Sequence, residues 1–169
     1  MRQLTLACTL LLVFTACNSP VGVSDSMPSA RFERSASAPV NIVSLGGQLT
    51  GYDEVYGMTA QKDGNGDVSG HISVRNLDGV TSFTGDVTCL QVQGNMAWVG
   101  IHITKSNAVA GGFVEGGSFW FRVQDNGEGS SAPADLISSL NPNGGSARCN
   151  ERRTGLPFAW AVQGNVQVR

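Results

Sequence analysis

Three consecutive segments decide the fold: Val55-Tyr56-Gly57-Met58-Thr59-Ala60-Gln61, then Lys62-Asp63-Gly64-Asn65-Gly66-Asp67, then Val68-Ser69-Gly70-His71-Ile72-Ser73-Val74-Arg75-Asn76-Leu77. In the third, strand alternation places Ser69, His71, Ser73 and Arg75 on one face and Val68, Ile72 and Val74 on the other. That period of two is the signature of a half-buried strand. The middle segment holds Asp-Gly and Asn-Gly steps, which supply the positive φ angles of a tight hairpin. Its three oxygen-bearing side chains at alternate positions also mimic the start of a calcium-binding EF-hand loop. Counting from Asp63, however, the sixth position is Val68 where a glycine turn is required. The twelfth is Val74 where a bidentate Glu is required, so the hairpin explains the residues better.

The same pattern extends in both directions. Val40–Leu49 precedes the hairpin as a first strand, Asp78-Gly79 turns into Val80–Gln93, and Gly94-Asn95 turns into Met96–Thr104. A glycine-rich loop around Gly111-Gly112 leads to a strand at Gly117–Gln124, and Asp125-Asn126-Gly127-Glu128-Gly129 forms a wide turn. Pro133-Ala134-Asp135 ahead of Leu136, Ile137 and Leu140 predicts one short helical turn. Val162–Val168, interrupted by Gly164-Asn165, is the last strand. Strands of this kind must each bury one face and protect their edges. The fold class is therefore all-β, a single antiparallel meander closing into a small barrel of 7–8 strands, with a two-sheet β-sandwich as the alternative. The expected core includes Phe83, Val99, Ile101, Ile103, Phe119, Phe121 and Val123.

Composition agrees. The chain has 169 residues, 41% of them hydrophobic, only 14% charged, and 22 glycines, against a usual glycine share of about 7%. One domain fits that length. The formal net charge of -2 provides no basic stripe for a phosphate backbone, which argues against nucleic acid as a partner.

Ahead of the strands, Met1-Arg2-Gln3 opens a run from Leu4 to Ala16 that carries no charge. It is shorter than the roughly 20 apolar residues a membrane span needs and has the layout of an export signal. The following Phe14-Thr15-Ala16-Cys17 resembles the lipobox of bacterial lipoproteins, with Phe14 where Leu is typical. The resemblance implies cleavage after residue 16, lipidation of Cys17 and a durable lipid anchor in the membrane of the cell envelope. Asn18 in place of Asp implies the outer membrane if the host has two membranes. Ordinary secretion with cleavage near Ala16 is the alternative, and it would leave Cys17 as an odd thiol. Residues 17–39 hold six serines and three prolines from Asn18 onward and read as a flexible tether, leaving residues 40–169 as the β domain. Loss of Arg2 leaves ten Lys and Arg against thirteen Asp and Glu, so adhesion to anionic headgroups is not expected.

Cys8 leaves with the signal and Cys17 takes the lipid, so Cys89 and Cys149 remain as an even pair in an exported domain, which is most simply a disulfide. Neither belongs to a Cys-x-x-Cys or neighbours a histidine, so no metal site is expected, and nothing in the chain calls for a cofactor. Catalytic material is sparse. Ser69 or Ser73 with His71 or His102 and Asp86 or Asp125 could be assembled into a triad on paper, but no nucleophile-elbow motif accompanies them. The chain is read as having no catalytic residues, with His71 and His102 as solvated face residues.

In Met96–Thr104, Ala97, Val99, Ile101 and Ile103 form an aliphatic face, leaving Trp98 and His102 opposite. In Ser118–Val123 the core face is Phe119, Phe121 and Val123, leaving Trp120 and Arg122 opposite. If the two strands pair, Trp98, His102, Trp120 and Arg122 are a candidate binding patch. The competing reading is that a loop or the tether covers the tryptophans.

Gly85-Asp86-Val87-Thr88-Cys89-Leu90-Gln91-Val92-Gln93-Gly94-Asn95, Val123-Gln124-Asp125-Asn126-Gly127-Glu128-Gly129 and Gly164-Asn165-Val166-Gln167-Val168 together resemble a group of exported bacterial β-domain proteins. That group carries a GxVTCLxVxGN strand and turn, a DNGEG turn and a terminal GNVQV strand. The resemblance spans about Val68 to Arg169 and implies a single exported β domain without specifying an activity. Two functions follow as expectations. One is a non-enzymatic envelope lipoprotein whose β domain contacts a protein or glycan; the other is a lipocalin-like barrel holding a small apolar ligand in its lumen.

Overall fold

The computed structural model describes residues 38–77, 81–107 and 113–169. The chain divides into two units, Met1–Arg34 and Ser35–Arg169, and all described residues belong to the second. The export signal, Cys17, the tether up to residue 37, the turn at Asp78-Gly79 and the loop at Gly111-Gly112 lie outside the described residues.

Eight strands follow one another: β1 (Pro39–Leu49), β2 (Glu54–Asp63), β3 (Val68–Asn76), β4 (Thr81–Gln93), β5 (Met96–Ser106), β6 (Ser118–Gln124), β7 (Leu136–Ser138) and β8 (Phe158–Val168). Each pairs antiparallel with its neighbour in sequence, and β8 returns to β1 through pairs such as Leu45↔Val166 and Val43↔Val168, so the sheet closes into a barrel. Alternation decides what points inward. Val43 and Leu45 of β1, Ile72 and Val74 of β3, Val99, Ile101 and Ile103 of β5, and Phe119, Phe121 and Val123 of β6 are buried in one apolar cluster. All seven core residues expected from the sequence are in it.

The β2–β3 hairpin forms where the Asp-Gly and Asn-Gly steps place it. The Asp63 carboxylate accepts the Asn65 and Asp67 amides, both at 2.9 Å, and Gly66 takes a φ of 90°. The acidic residues therefore serve the turn. A barrel this narrow also forces backbones together. A Cβ on Gly164 of β8 would stand 2.0 Å from the Gly46 carbonyl oxygen and 2.6 Å from the Gly47 Cα. Only a residue without a side chain permits that approach, which is why β8 runs unbroken through Gly164-Asn165 where an interruption was expected.

Two local expectations are corrected. Leu136–Ser138 is a strand and not a helical turn: Ile137, fully buried, pairs with Val123 on one side and Trp160 on the other. Without it, β6 and β8 would leave unpaired backbone groups facing each other, and a buried unpaired N–H or C=O costs more than local helical preference returns. Among the described residues a single helix forms, later in the chain, as α1 (Gly145–Asn150) on the outside of β4, β5 and β6.

At three residues, β7 is too short to cover β8. Carboxylates complete the seam. Asp135 Oδ2 accepts the Val166 amide at 2.7 Å and Asp125 Oδ2 accepts the Val168 amide at 3.0 Å. Glu128 Oε1 accepts the side-chain amides of Asn165 and Gln167. Asn95 holds the turn from behind, donating Nδ2 to the Asp125 carbonyl at 2.7 Å. Asn95, Asp125, Glu128 and residues 165–168, drawn from the three segments singled out in the sequence, thus meet along this seam.

Candidate functional site

Strands β5 and β6 pair with Trp98 directly opposite Arg122 and His102 opposite Ser118. The four patch residues do share the outer face, but only His102 is exposed there; Trp98, Trp120 and Arg122 are buried, at 1%, 3% and 6% exposure. The patch is therefore corrected to a covered surface. Helix α1 and the segment that follows it form the cover, and the tryptophans pack with Cys89 and Cys149 beneath it.

The cover is fastened at several points. Cys89 and Cys149 form the expected disulfide, with Cα atoms 6.2 Å apart, and it ties α1 to β4. Thr88 Oγ1 and Ser146 Oγ lie 2.6 Å apart, and Gln91 Nε2 donates to Asn150 Oδ1 at 3.0 Å. Gly100 of β5 makes room, since a Cβ there would come within 3.0 Å of the Ser146 Cα. After α1 the chain reverses in a Schellman turn. The Arg152 amide donates to the Cys149 carbonyl, the Arg153 amide to the Arg148 carbonyl, and Arg152 itself sits at φ 50°. The Trp98 indole then donates to the Arg153 carbonyl at 2.9 Å. Arg122 donates Nη2 to the Leu156 carbonyl, and its guanidinium lies 4.5 Å over the Phe158 ring. Burial pushes the Arg122 pKa down from its usual value, yet a guanidinium remains a cation. Trp98 and Arg122 are thus pegs that set the path of residues 153–156.

That path leaves a hollow of about 280 Å³ on the outer surface, lined by Trp120, Asn141, Asn143, Arg148, Arg153 and Leu156, with Gly155 on its rim. Each lining group is placed by a specific contact. Asn141 is bound to Trp120 by two backbone hydrogen bonds of 3.0 and 2.9 Å. Its side-chain oxygen accepts the Asn143 amide at 2.9 Å, which leaves the Asn141 NH₂ as a donor. The stem of Arg148 lies against Gly144, where a Cβ would meet Arg148 Cγ at 2.4 Å. Arg148 Nη1 at 3.0 Å and Arg153 Nε at 2.6 Å both donate to Glu151 Oε2, so two guanidiniums converge on one oxygen. Hydrogen bonds from Arg153 and then Arg148 hold the Glu151 carboxyl below its ordinary range.

The histidines are elsewhere. His71 Nδ1 lies 3.5 Å from Asp86 Oδ1, with both side chains more than half exposed, and the register sets Asp86 between His71 and His102 on adjacent strands. Such an exposed contact is weak and holds no imidazole in a fixed orientation. His71 also borders a more open hollow of about 590 Å³ with Ser44, Thr59, Asn165 and Gln167, over the paired glycines Gly46 and Gly57. Among the described residues, no three His, Cys, Asp or Glu side chains are grouped to hold a metal ion. Asn141, Asn143, Arg148 and Arg153 were not singled out from the sequence. The available signal was local charge density: Arg148, Arg152 and Arg153 fall within six residues of a chain that has 11 Lys and Arg in all.

Comparison with protein-family models, with curated proteins and with solved structures found no significant match to this chain.

Proposed function

We propose that the protein is a membrane-anchored envelope lipoprotein, lipidated at Cys17, whose barrel works as a non-enzymatic module engaging an envelope glycan or protein through its outer surface. The observation that carries this reading is the division of the barrel. Its described inward side chains form one apolar cluster of residues at most 5% exposed. The converging polar groups lie outside, at the hollow over Trp120. A lumen occupied by side chains leaves recognition to the exterior, and arginine beside aromatic groups is the composition of binding surfaces. The run Leu4–Ala16 ahead of Cys17 supports export and anchoring.

Metabolic labelling with an alkyne palmitate in the original host tests the anchor. Wild-type protein is expected to take up label and to fractionate with membranes, and Cys17→Ala to lose both. Label on the Cys17→Ala variant, or unlabelled wild-type protein in the soluble fraction, would end this reading. A photo-crosslinker at Asn143 is expected to capture an envelope component, and one at Gln61 on the far side of the barrel is not.

A further inference from the structure

We propose that the hollow over Trp120 is a subsite for one carboxylate-bearing sugar residue, the acidic end or branch of an envelope glycan. This rests on the reading of the chain as an envelope-binding module and names its ligand.

Charge is the first argument. In a chain of net charge -2, residues 139–158 carry Arg148, Arg152 and Arg153 against a single carboxylate, Glu151, and Arg122 adds a buried cation beneath them. Two of these cations, Arg148 and Arg153, line the hollow and share the one carboxylate, which leaves a positive balance there that favours an anion. Geometry is the second. Arg148 and Arg153 each donate one side-chain hydrogen bond, both to Glu151 Oε2. A guanidinium has five donors in a planar fork matched to a carboxylate, so both retain the donors to bind a second carboxylate beside Glu151.

The neutral lining is the third argument and separates a sugar acid from a bare anion. Asn141 and Asn143 present carboxamides, which suit hydroxyl groups. Leu156, half-buried, presents apolar surface, which suits the C–H side of a pyranose ring. Inorganic phosphate would use neither. Volume is the fourth: about 280 Å³ lies just under the roughly 300–1,000 Å³ typical of ligand sites, which is room for one ring and not for a lipid chain. The site is also held in place before any ligand arrives, by the disulfide at Cys149, the Trp98 indole on the Arg153 carbonyl and Arg122 on the Leu156 carbonyl. Preorganisation of this kind lowers the ordering cost of binding.

The test uses the lipidated full-length mature protein in detergent micelles, titrated with methyl β-D-glucuronide, methyl β-D-glucoside and inorganic phosphate, with amide and indole NMR shifts as the readout. The glucuronide is expected to bind at least tenfold more tightly than either of the other two, and Arg148→Gln and Arg153→Gln each to weaken it at least tenfold. Gly155→Leu is the blocking variant. Gly155 lines the hollow and a Cβ there meets no atom within 4 Å, so a side chain at this position adds bulk at the edge of the hollow without a backbone clash, and glucuronide binding is expected to disappear at unchanged thermal stability. Equal binding of glucuronide and glucoside, phosphate binding as tight as glucuronide, no binding at all, or binding that survives Gly155→Leu would each overturn the assignment. Palmitate labelling and membrane fractionation are independent of sugar binding, so a negative titration with an intact anchor rejects the sugar acid and leaves the module reading standing.

Discussion

Arg152 occupies the left-handed region at φ 50°, as the residue after a helix in a Schellman turn must, and glycine or asparagine is the usual occupant. A side chain there costs about 1–2 kcal/mol. Its guanidinium recovers little, through a 3.4 Å contact with Gln91 Oε1 at the surface. Arg152→Gly is therefore expected to raise stability by about 1 kcal/mol, read as a higher midpoint in thermal unfolding. Trp98→Phe should act the other way. It leaves the Arg153 carbonyl without its indole donor and opens space under the cover, with an expected loss of about 2 kcal/mol. Amide exchange near residues 151–156 should accelerate more than in β1–β3. The sequence assigned Trp98 and Arg122 to the right face, because strand alternation is local. It could not say that they are covered, since the cover depends on a disulfide between positions 60 residues apart. Nor could it pair His71 with Asp86, which requires the register of β3 on β4.

Among the elements, the long hairpins were legible and the short pieces were not. β2 through β5 announce themselves by alternation over 9 to 13 residues between glycine-bearing turns. β7 has three residues and exists because β6 and β8 need a partner, which is a tertiary cause that no local pattern records. The seam it leaves depends on Asp135, whose two oxygens accept the Asn126 amide at 2.8 Å and the Val166 amide at 2.7 Å. Asp135→Ala strips both acceptors from a carboxylate only 6% exposed. At about 1–3 kcal/mol for each unsatisfied buried donor, the expected loss is about 4 kcal/mol, and denaturant titration measures it. Glycines on either side of the β1–β8 contact give a sharper contrast. Gly164→Ala drives a Cβ into the Gly46 carbonyl, a backbone atom that cannot swing away, and should cost about 3 kcal/mol or more. Gly46→Ala meets nothing within 4 Å and should be neutral or stabilising by up to about 1 kcal/mol. Equal effects from the two substitutions would contradict the close approach of β8 to β1.

At the scale of the molecule, the barrel and its outer cover are two mechanical systems joined by the Cys89–Cys149 bond. The barrel is closed by its own ladder, from β1–β2 round to β8–β1, and none of those pairings passes through α1. The cover belongs to no ladder. Beyond the disulfide it rests on the Thr88–Ser146 and Gln91–Asn150 contacts, both at exposed positions, and on the Trp98 and Arg122 pegs. Removing the crosslink should therefore act unevenly. In the chain-entropy model a closed loop of 60 residues contributes about 4 kcal/mol, so the Cys89→Ala/Cys149→Ala double variant should unfold at a markedly lower denaturant midpoint. In the absence of denaturant its strand circular dichroism should persist. Amide exchange at residues 145–156 should rise well beyond the change across β1–β5, because that segment opens without breaking any barrel pair. Uniform loss of protection would instead mean that α1 and the barrel form one cooperative unit. If the cover loosens alone, the arginines of the hollow lose their fixed spacing while the scaffold survives, and any ligand held there becomes sensitive to the redox state of the compartment.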